Sequence, residues 1–190
     1  MLFRKKKFIL SLAAFLILAI YQQIAGPRIS DSLTSKTEFD VQGIETKREE
    51  ARVTRVVDGD TVEVLLNDKK QKVRVIGINT PETVDPRRPV QCFGKEASNY
   101  AKEILTGQNV SLESDSTQAD RDSYNRLLRY IWVDNDKTDF GQKMIANGYA
   151  YEYTYDLPYK YQAEYKNAQN LAREEKRGLW NNSSCPHGSS

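Results

Sequence analysis

Apolar and polar positions divide the chain into three regimes. Residues 8–20 are apolar all round, broken only by Ser11. Residues 30–50 are polar, rich in Ser, Thr, Lys and Glu, and keep no sustained apolar period, the pattern of a flexible tether. From Ala51 onward the period becomes that of folded elements. Strand-like alternation predicts strands over 51–57, 61–66 and 72–78, the last two separated by a turn at Asn67, Asp68, Lys69 and Lys70. Ala97, Tyr100, Ala101, Ile104 and Leu105 recur at i, i+3, i+4, i+7 and i+8, which predicts a helix from about Gly94 that Gly107 stops. Further strands are predicted over 109–113 and 127–133. Asp139 with Gln142 resembles a capping box for a short helix carrying Phe140, Met144 and Ile145. A last helix places Tyr161, Tyr165, Ala168 and Ala172 on one face and closes at Lys176, Arg177 and Gly178. Strands first and helices interspersed later indicate an α+β domain, a small barrel with helices packed on it.

The chain therefore divides into an N-terminal segment over 1–29, a linker over 30–50, a domain over 51–181 and a tail over 182–190. Arg4, Lys5, Lys6 and Lys7 precede the apolar run of 13 residues, as in an export signal. The run is short for a spanning helix of about 20 residues. No small-x-small cleavage site follows clearly, so it is read either as a cleaved signal or as a membrane anchor. Either way the domain is expected outside the cytoplasm.

Composition narrows the chemistry. Of 190 residues, 28% are charged and 39% hydrophobic, so most of the chain suits a soluble globule. The single histidine, His187, lies four residues from the C-terminus, which disfavours catalysis by an embedded histidine base. Two cysteines cannot build a Cys-rich zinc site. Catalysis would then rest on carboxylates, arginines, tyrosines, lysines or a hard metal ion. The net charge of +2 is carried by the N-terminus: without the five bases of residues 1–30, 23 Lys and Arg face 26 Asp and Glu, a balance of −3. Overall basicity thus gives no argument for nucleic-acid binding, and only local patches can.

Three constellations carry possible chemistry. In VVDGDTVEV, over 56–64, Asp60 places a carboxylate at a strand start where a cation could sit, though Asp-Gly between alternating hydrophobics is equally a hairpin turn. In VRVIGINTPET, over 73–83, alternation puts Arg74 on the face opposite Val73 and Val75, and Pro81 clusters Asn79, Thr80 and Glu82 on a constrained turn. In DSYNRLLRYIWV, over 122–133, Arg126 immediately precedes an apolar strand. Taken singly, a solvated arginine, a polar turn and a loop-to-strand junction explain each of them.

In this order and spacing, V-x-D-G-D-T, R-x-x-x-x-[DN]-T-P-E and D-x-Y-[GN]-R, with the G-L-W ending of the last helix, resemble the staphylococcal nuclease (thermonuclease) family over about 51–181. The resemblance implies a five-stranded OB-fold β-barrel with three packed helices. It also implies Ca²⁺-dependent endonucleolytic hydrolysis of DNA and RNA to 3′-phosphorylated products. By motif position, Asp60, Asn79 and the Thr80 carbonyl would hold Ca²⁺, Arg74 and Arg126 would grip the scissile phosphate, and Glu82 would engage the attacking water. Asn79 stands where the family's archetype has Asp, so weaker Ca²⁺ binding is expected. Electrostatics suit this set: paired guanidiniums match phosphate oxygens, and a carboxylate can take a proton from water without histidine.

Tyr124 is a candidate substrate contact. Tyr153 and Tyr155, within the alternating run Tyr149, Tyr151, Tyr153, Tyr155, are read either as base-stacking platforms or as aromatics packed between strand and helix. Arg52, Lys69, Lys70, Lys72, Arg87, Arg88, Arg121 and Arg129 are candidates for a basic patch, with solvated surface charge as the plain alternative. Export, together with a pair of cysteines, predicts a Cys92–Cys185 disulfide. The partners expected are DNA and RNA, the membrane if the leader is uncleaved, and no second subunit. Two other readings are a non-catalytic OB-fold nucleic-acid-binding module and a structural protein of the cell envelope. A binder would have no need of Glu82, and an envelope protein would leave the motif set unexplained.

Overall fold

A computed structural model describes residues 48–185, apart from 84, 88 and 182. The leader, the linker up to residue 47, Arg88, His187 and the end of the tail lie outside the described residues.

The first strand, β1 (Arg48–Asp58), is shared between two neighbours and starts three residues before the expected bound at 51, so residues 48–50, paired with Glu113, Leu112 and Ser111, belong to the barrel and not to the linker. Its first half pairs antiparallel with β5 (Asn109–Glu113), and its second half with β2 (Thr61–Leu66). Register shifts after Val53 and Val56 bend it between the two, as β-bulges do. β2 continues into β3 (Lys69–Val75) through Asn67 and Asp68, both with positive φ (49° and 59°). This two-residue turn suits the twist of a hairpin, so pairing begins at Leu66–Lys69 and the predicted four-residue turn shortens to two. β3 then pairs parallel with β6 (Leu127–Val133), and β6 pairs antiparallel with β5. The order β3-β2-β1-β5-β6 thereby closes on itself as a five-stranded OB-fold barrel.

β3 ends at Val75, three residues short of the predicted boundary. Ile76 and Gly77 turn the chain, with Gly77 at φ 79°, and a Cβ there would lie 2.6 Å from the Tyr159 ring. The chain re-emerges as β4 (Ile78–Asn79), which pairs with β8 (Tyr151–Glu152) away from the barrel. A short β7 (Thr138–Asp139) pairs antiparallel with the end of β6.

Three helices pack on this frame. α1 (Gly94–Leu105) buries Ala97, Ala101 and Leu105. α2 (Phe140–Ala146) buries Phe140, Met144 and Ile145, and the Asp139 carboxylate caps it by accepting the Gln142 N–H at 3.2 Å. α3 (Gln162–Glu174) buries Tyr165, Ala168 and Ala172; Tyr161 lies just before it and not within it. A 3₁₀ turn over Gly178–Trp180 ends the fold. Val53, Val62, Val73 and Leu112 from the barrel join Ile78, Phe140, Met144 and Tyr165 in one core. The two cysteines are bonded as a Cys92–Cys185 disulfide.

Candidate active site

The turn between β1 and β2 consists of Gly59 and Asp60, with Asp58 closing β1, and Gly59 has no side chain because Thr80 occupies that space. A Cβ on Gly59 would lie 2.7 Å from Thr80 Cγ2 and 2.9 Å from its Oγ1. The two buried aspartates face different partners. Asp58 accepts the Gly59 N–H at 2.8 Å, the Thr83 hydroxyl at 2.8 Å and the Thr83 N–H at 3.3 Å. Burial pushes its carboxyl above the ordinary value and the Asp60 charge adds to this, while the bonds from Thr83 and Gly59 oppose it. Asp60 accepts the Thr61 hydroxyl at 2.9 Å on Oδ1, and on Oδ2 the Thr80 N–H at 3.1 Å and Arg74 Nη2 at 3.2 Å. The start of β2 and the 79–83 turn are thus tied through one carboxylate.

Arg74 leaves β3 on the face opposite the buried Val73 and Val75. Its Nη1 donates to the carbonyls of Val75 at 2.7 Å and Ile78 at 2.8 Å, bracing the turn at Gly77, and Nη2 lies 3.4 Å from Asn79 Oδ1. One guanidinium therefore contacts both Asp60 and Asn79 while keeping its own turn rigid.

Arg126 approaches from the loop before β6. Asp122 organises that loop: Oδ1 accepts the N–H groups of Tyr124 at 3.0 Å and Arg126 at 2.9 Å, and Oδ2 accepts Arg126 Nε at 2.6 Å. Burial alone would raise the Asp122 pKa, but the Arg126 N–H and guanidinium and the Tyr124 N–H outweigh it and hold the carboxyl below its ordinary value. With Nε committed, Arg126 directs Nη1 toward Thr61 Oγ1 at 3.4 Å. Thr61 thus joins the two arms of the site, donating to Asp60 and lying beside Arg126.

Glu82 lies on the 80–93 loop. Its N–H donates to Gln91 Oε1 at 2.8 Å, its carbonyl accepts the Gln91 N–H at 2.9 Å, and its Oε1 accepts the Asp85 N–H at 3.0 Å.

The tyrosines separate by environment. Tyr124 is 79% exposed, with the Arg126 guanidinium carbon 5.3 Å from its ring centre. Tyr153 and Tyr155 are 42% and 85% exposed, their ring centres 6.4 Å apart, and the Tyr153 N–H donates to the Gly77 carbonyl at 2.9 Å. Tyr149 and Tyr151 are packing residues. Tyr149 stacks on Tyr100 at 4.1 Å and Tyr151 meets Trp180 edge-on at 5.3 Å.

One member of the expected basic patch is misplaced. Arg129 is 6% exposed and donates to Asp120 Oδ1 at 2.5 Å, so it is a buried ion-pair partner and no surface charge. Arg121 is spent on Asn125 O at 2.8 Å and Gln71 Oε1 at 3.1 Å. Arg52, Lys69, Lys70, Lys72 and Arg87 are exposed.

Sequence reasoning did not single out Asp58, Thr61, Thr83, Asp122 or Gln91 as site residues. All but Gln91 lie inside the three motif segments; the cross-strand bonds that give them their work have no signal in one dimension.

Residues 72–182 match the protein family described as Staphylococcal nuclease homologue. The chain is 41% identical to a thermonuclease of Staphylococcus hyicus over 151 residues, 79% of this chain and 87% of that relative. It is 37% identical to a thermonuclease of Staphylococcus intermedius over 172 residues, 90% of this chain and 95% of the relative. Endonuclease YncB of Bacillus subtilis is 35% identical over 130 residues, 68% of this chain and 60% of its own.

Proposed function

The chain belongs to the staphylococcal nuclease family, and from that premise we propose that it is an exported, Ca²⁺-dependent endonuclease. It hydrolyses phosphodiester bonds of DNA and RNA with little sequence specificity and leaves 3′-phosphorylated products. The observation that carries this reading is the convergence of two guanidiniums on one turn. Arg74 contacts Asp60 directly, and Arg126 lies beside Thr61, whose hydroxyl donates to that same carboxylate.

The donor set suits a hard cation. Asp60, the Asn79 amide and the Thr80 carbonyl are all oxygen donors, and the Thr80 hydroxyl is buried against Gly59 with no hydrogen-bond partner among the described residues. These residues would hold Ca²⁺, which when bound supplies positive charge next to a phosphate and orients water. Asn79 provides an oxygen without formal charge, so affinity is set by Asp60 and neutral donors. Among the described residues no group of three His, Cys, Asp or Glu could hold a metal ion, so the proposed site rests on a single carboxylate and neutral oxygens.

The chain's own groups do the rest. Arg74 and Arg126 set two guanidinium charges beside the phosphate oxygens, where negative charge accumulates as water adds to phosphorus, and Arg74 exchanges its 3.4 Å Nη2 contact with Asn79 for a phosphate oxygen. Their geometry is set in advance, Arg74 by two carbonyls and Arg126 by Asp122, so little reorganisation accompanies the reaction. Glu82 accepts the water's proton, the bond from phosphorus to the 5′ oxygen breaks, and that oxygen takes a proton from solvent, which leaves the phosphate on the 3′ side. Tyr124, and the exposed pair Tyr153 and Tyr155, offer ring faces to nucleotides. The cationic and apolar N-terminal pattern supports export, with the membrane as an anchor point if the segment is retained.

The test incubates the full chain with plasmid DNA and with RNA, in Ca²⁺ with and without chelator, followed by end-group analysis. Chelator-sensitive cleavage with 3′-phosphate ends is expected. Binding without cleavage would replace this reading with a non-catalytic OB-fold module.

A further inference from the structure

Between Asn79 and Gly94 the described residues form no strand or helix, yet this stretch carries Glu82. Its order comes from a few specific grips. Gln91 makes two bonds to the same residue: its side-chain oxygen accepts the Glu82 N–H at 2.8 Å and its N–H donates to the Glu82 carbonyl at 2.9 Å. Those two groups belong to the peptide planes on either side of the Glu82 Cα, so the pair sets the direction in which the Glu82 side chain leaves the loop. Gly94, the first residue of α1, lies against the same stretch. A Cβ there would stand 2.7 Å from Thr83 Cγ2 and 3.1 Å from the Pro81 carbonyl. The next residue after Gln91 is Cys92, covalently joined to Cys185, 93 residues further on.

Gln91 itself is exposed. Hydrogen bonds at such a position compete with water and contribute little net free energy each. Phe93, between the disulfide and α1, has φ 65° and gives the helix no side-chain cap. The Gln91 carbonyl also accepts the Gly94 N–H at 3.1 Å, a bond across the residue that carries the disulfide, and the covalent link at Cys92 restricts how far this end of the loop can move.

We propose that Gln91 is a positioning residue for Glu82, and that the Cys92–Cys185 disulfide keeps Gln91 in register to do so. The inference rests on the proposed role of Glu82 and goes beyond it, because it assigns a catalytic consequence to a disulfide that touches no reacting group. A proton acceptor displaced by about 1 Å loses on the order of 10²-fold in rate, so a loosened grip registers in turnover before it registers in folding.

The experiment is a mutant cycle in the full chain, with initial rates on a defined oligonucleotide at saturating Ca²⁺. Gln91→Ala and the paired Cys92→Ser, Cys185→Ser are each measured alone and combined with Glu82→Gln. Each alone is expected to lower kcat about tenfold with little change in KM. In the Glu82→Gln background the same changes are expected to cost less than about twofold, because the group they position is already lost. Gln91→Glu, which still presents an oxygen to the Glu82 N–H, is expected to retain most of the activity. Equal fold-losses with and without Glu82→Gln overturn the inference, as does an unchanged kcat in Gln91→Ala. An unchanged kcat in Glu82→Gln alone would overturn the catalytic reading of Glu82 and this inference with it, and that single variant tells the two failures apart. If the serine pair does not fold by circular dichroism, the folded parent is reduced with dithiothreitol, its thiols are alkylated, and an unchanged kcat in that protein overturns the disulfide's part of the inference.

Discussion

The Asp60 carboxylate accepts the backbone N–H of Thr80 at 3.1 Å, across 20 residues of sequence. This bond holds the turn after β1 against the turn after β4. It also fixes the peptide plane between Asn79 and Thr80, the backbone from which the Asn79 side chain and the Thr80 carbonyl extend. The contact is possible because Gly59 leaves room for the Thr80 side chain.

Gly59→Ala tests that closeness. The new methyl would meet Thr80 Cγ2 at 2.7 Å, Oγ1 at 2.9 Å and Cβ at 3.0 Å, and a β-branched side chain has few rotamers to retreat to. A stability loss of roughly 1–3 kcal/mol is expected in urea unfolding, as for other overpacked sites. A fall in kcat on the order of tenfold or more should accompany it, because Thr80 moves relative to Asp60. Unaltered stability would show that the two turns yield easily.

Arg126→Ala and Glu82→Gln are each expected to lower kcat roughly 10²- to 10³-fold, the cost of one preorganised group that acts in the transition state. Arg126→Lys should recover little of the loss, since lysine keeps the charge but cannot pair with Asp122 and still present a second donor toward Thr61. Circular dichroism checks folding in each variant, and a kcat near the parent value contradicts the role given to that residue.

Asn79→Asp is expected to lower the Ca²⁺ concentration for half-maximal activity, by adding a formal charge to an oxygen-only site. The new carboxylate would also face Arg74 Nη2, now 3.4 Å from Asn79 Oδ1, and that pairing tempers the gain. Calorimetric titration with Ca²⁺ gives the affinity independently of turnover. If affinity and half-maximal concentration both stay put, Asn79 shapes the turn and does not hold the ion.

Asp139 makes stability depend on pH. Burial raises its pKa from 3.8 to about 6, although the Tyr165 hydroxyl and the N–H groups of Gln142 and Gly141 oppose the rise. With the folded pKa above the unfolded one, the folded state binds more protons between these values. Its stability contribution is full below about pH 4 and is lost as pH rises through 6. Asp139→Asn removes the buried charge. Relative to the parent, the variant should gain up to about 3 kcal/mol between pH 4 and pH 7.5, because each tenfold change in proton affinity is worth roughly 1.4 kcal/mol. Urea unfolding of both proteins at the two pH values measures the difference, and a pH-independent offset would rule this titration out.

Much of the fold was legible because short-range patterns carry it. The spacing of Ala97, Ala101 and Leu105 gave α1, all three being buried, and Gly107, with φ 74°, follows its end. Alternation set Arg74 apart from Val73 and Val75, and the strands at Asn109–Glu113 and Leu127–Val133 have the expected bounds. Boundaries failed where backbone geometry overrode residue pattern. The hydrophobic run through Ile76 and Ile78 reads as one strand, but the positive φ of Gly77 breaks it so that Ile78 can pair with β8.

The residue types of the candidate site, their order and their motif spacing were determined by the sequence alone, because chemistry and local turn preference are properties of neighbouring residues. Tertiary structure decided which of them meet. The parallel pairing of β3 with β6 carries Arg74 and Arg126 to one end of the barrel, and no local pattern encodes a contact between strands so far apart in the chain. The same closure buries Arg129 against Asp120 while Lys72 stays exposed, although both read as surface bases. It also separates Tyr149 and Tyr151, packed on Tyr100 and Trp180, from Tyr153 and Tyr155, which face solvent. Alternation supplies a side for each side chain. What lies on that side depends on the free energy of the whole packed barrel, and so it is settled only when distant strands close on one another.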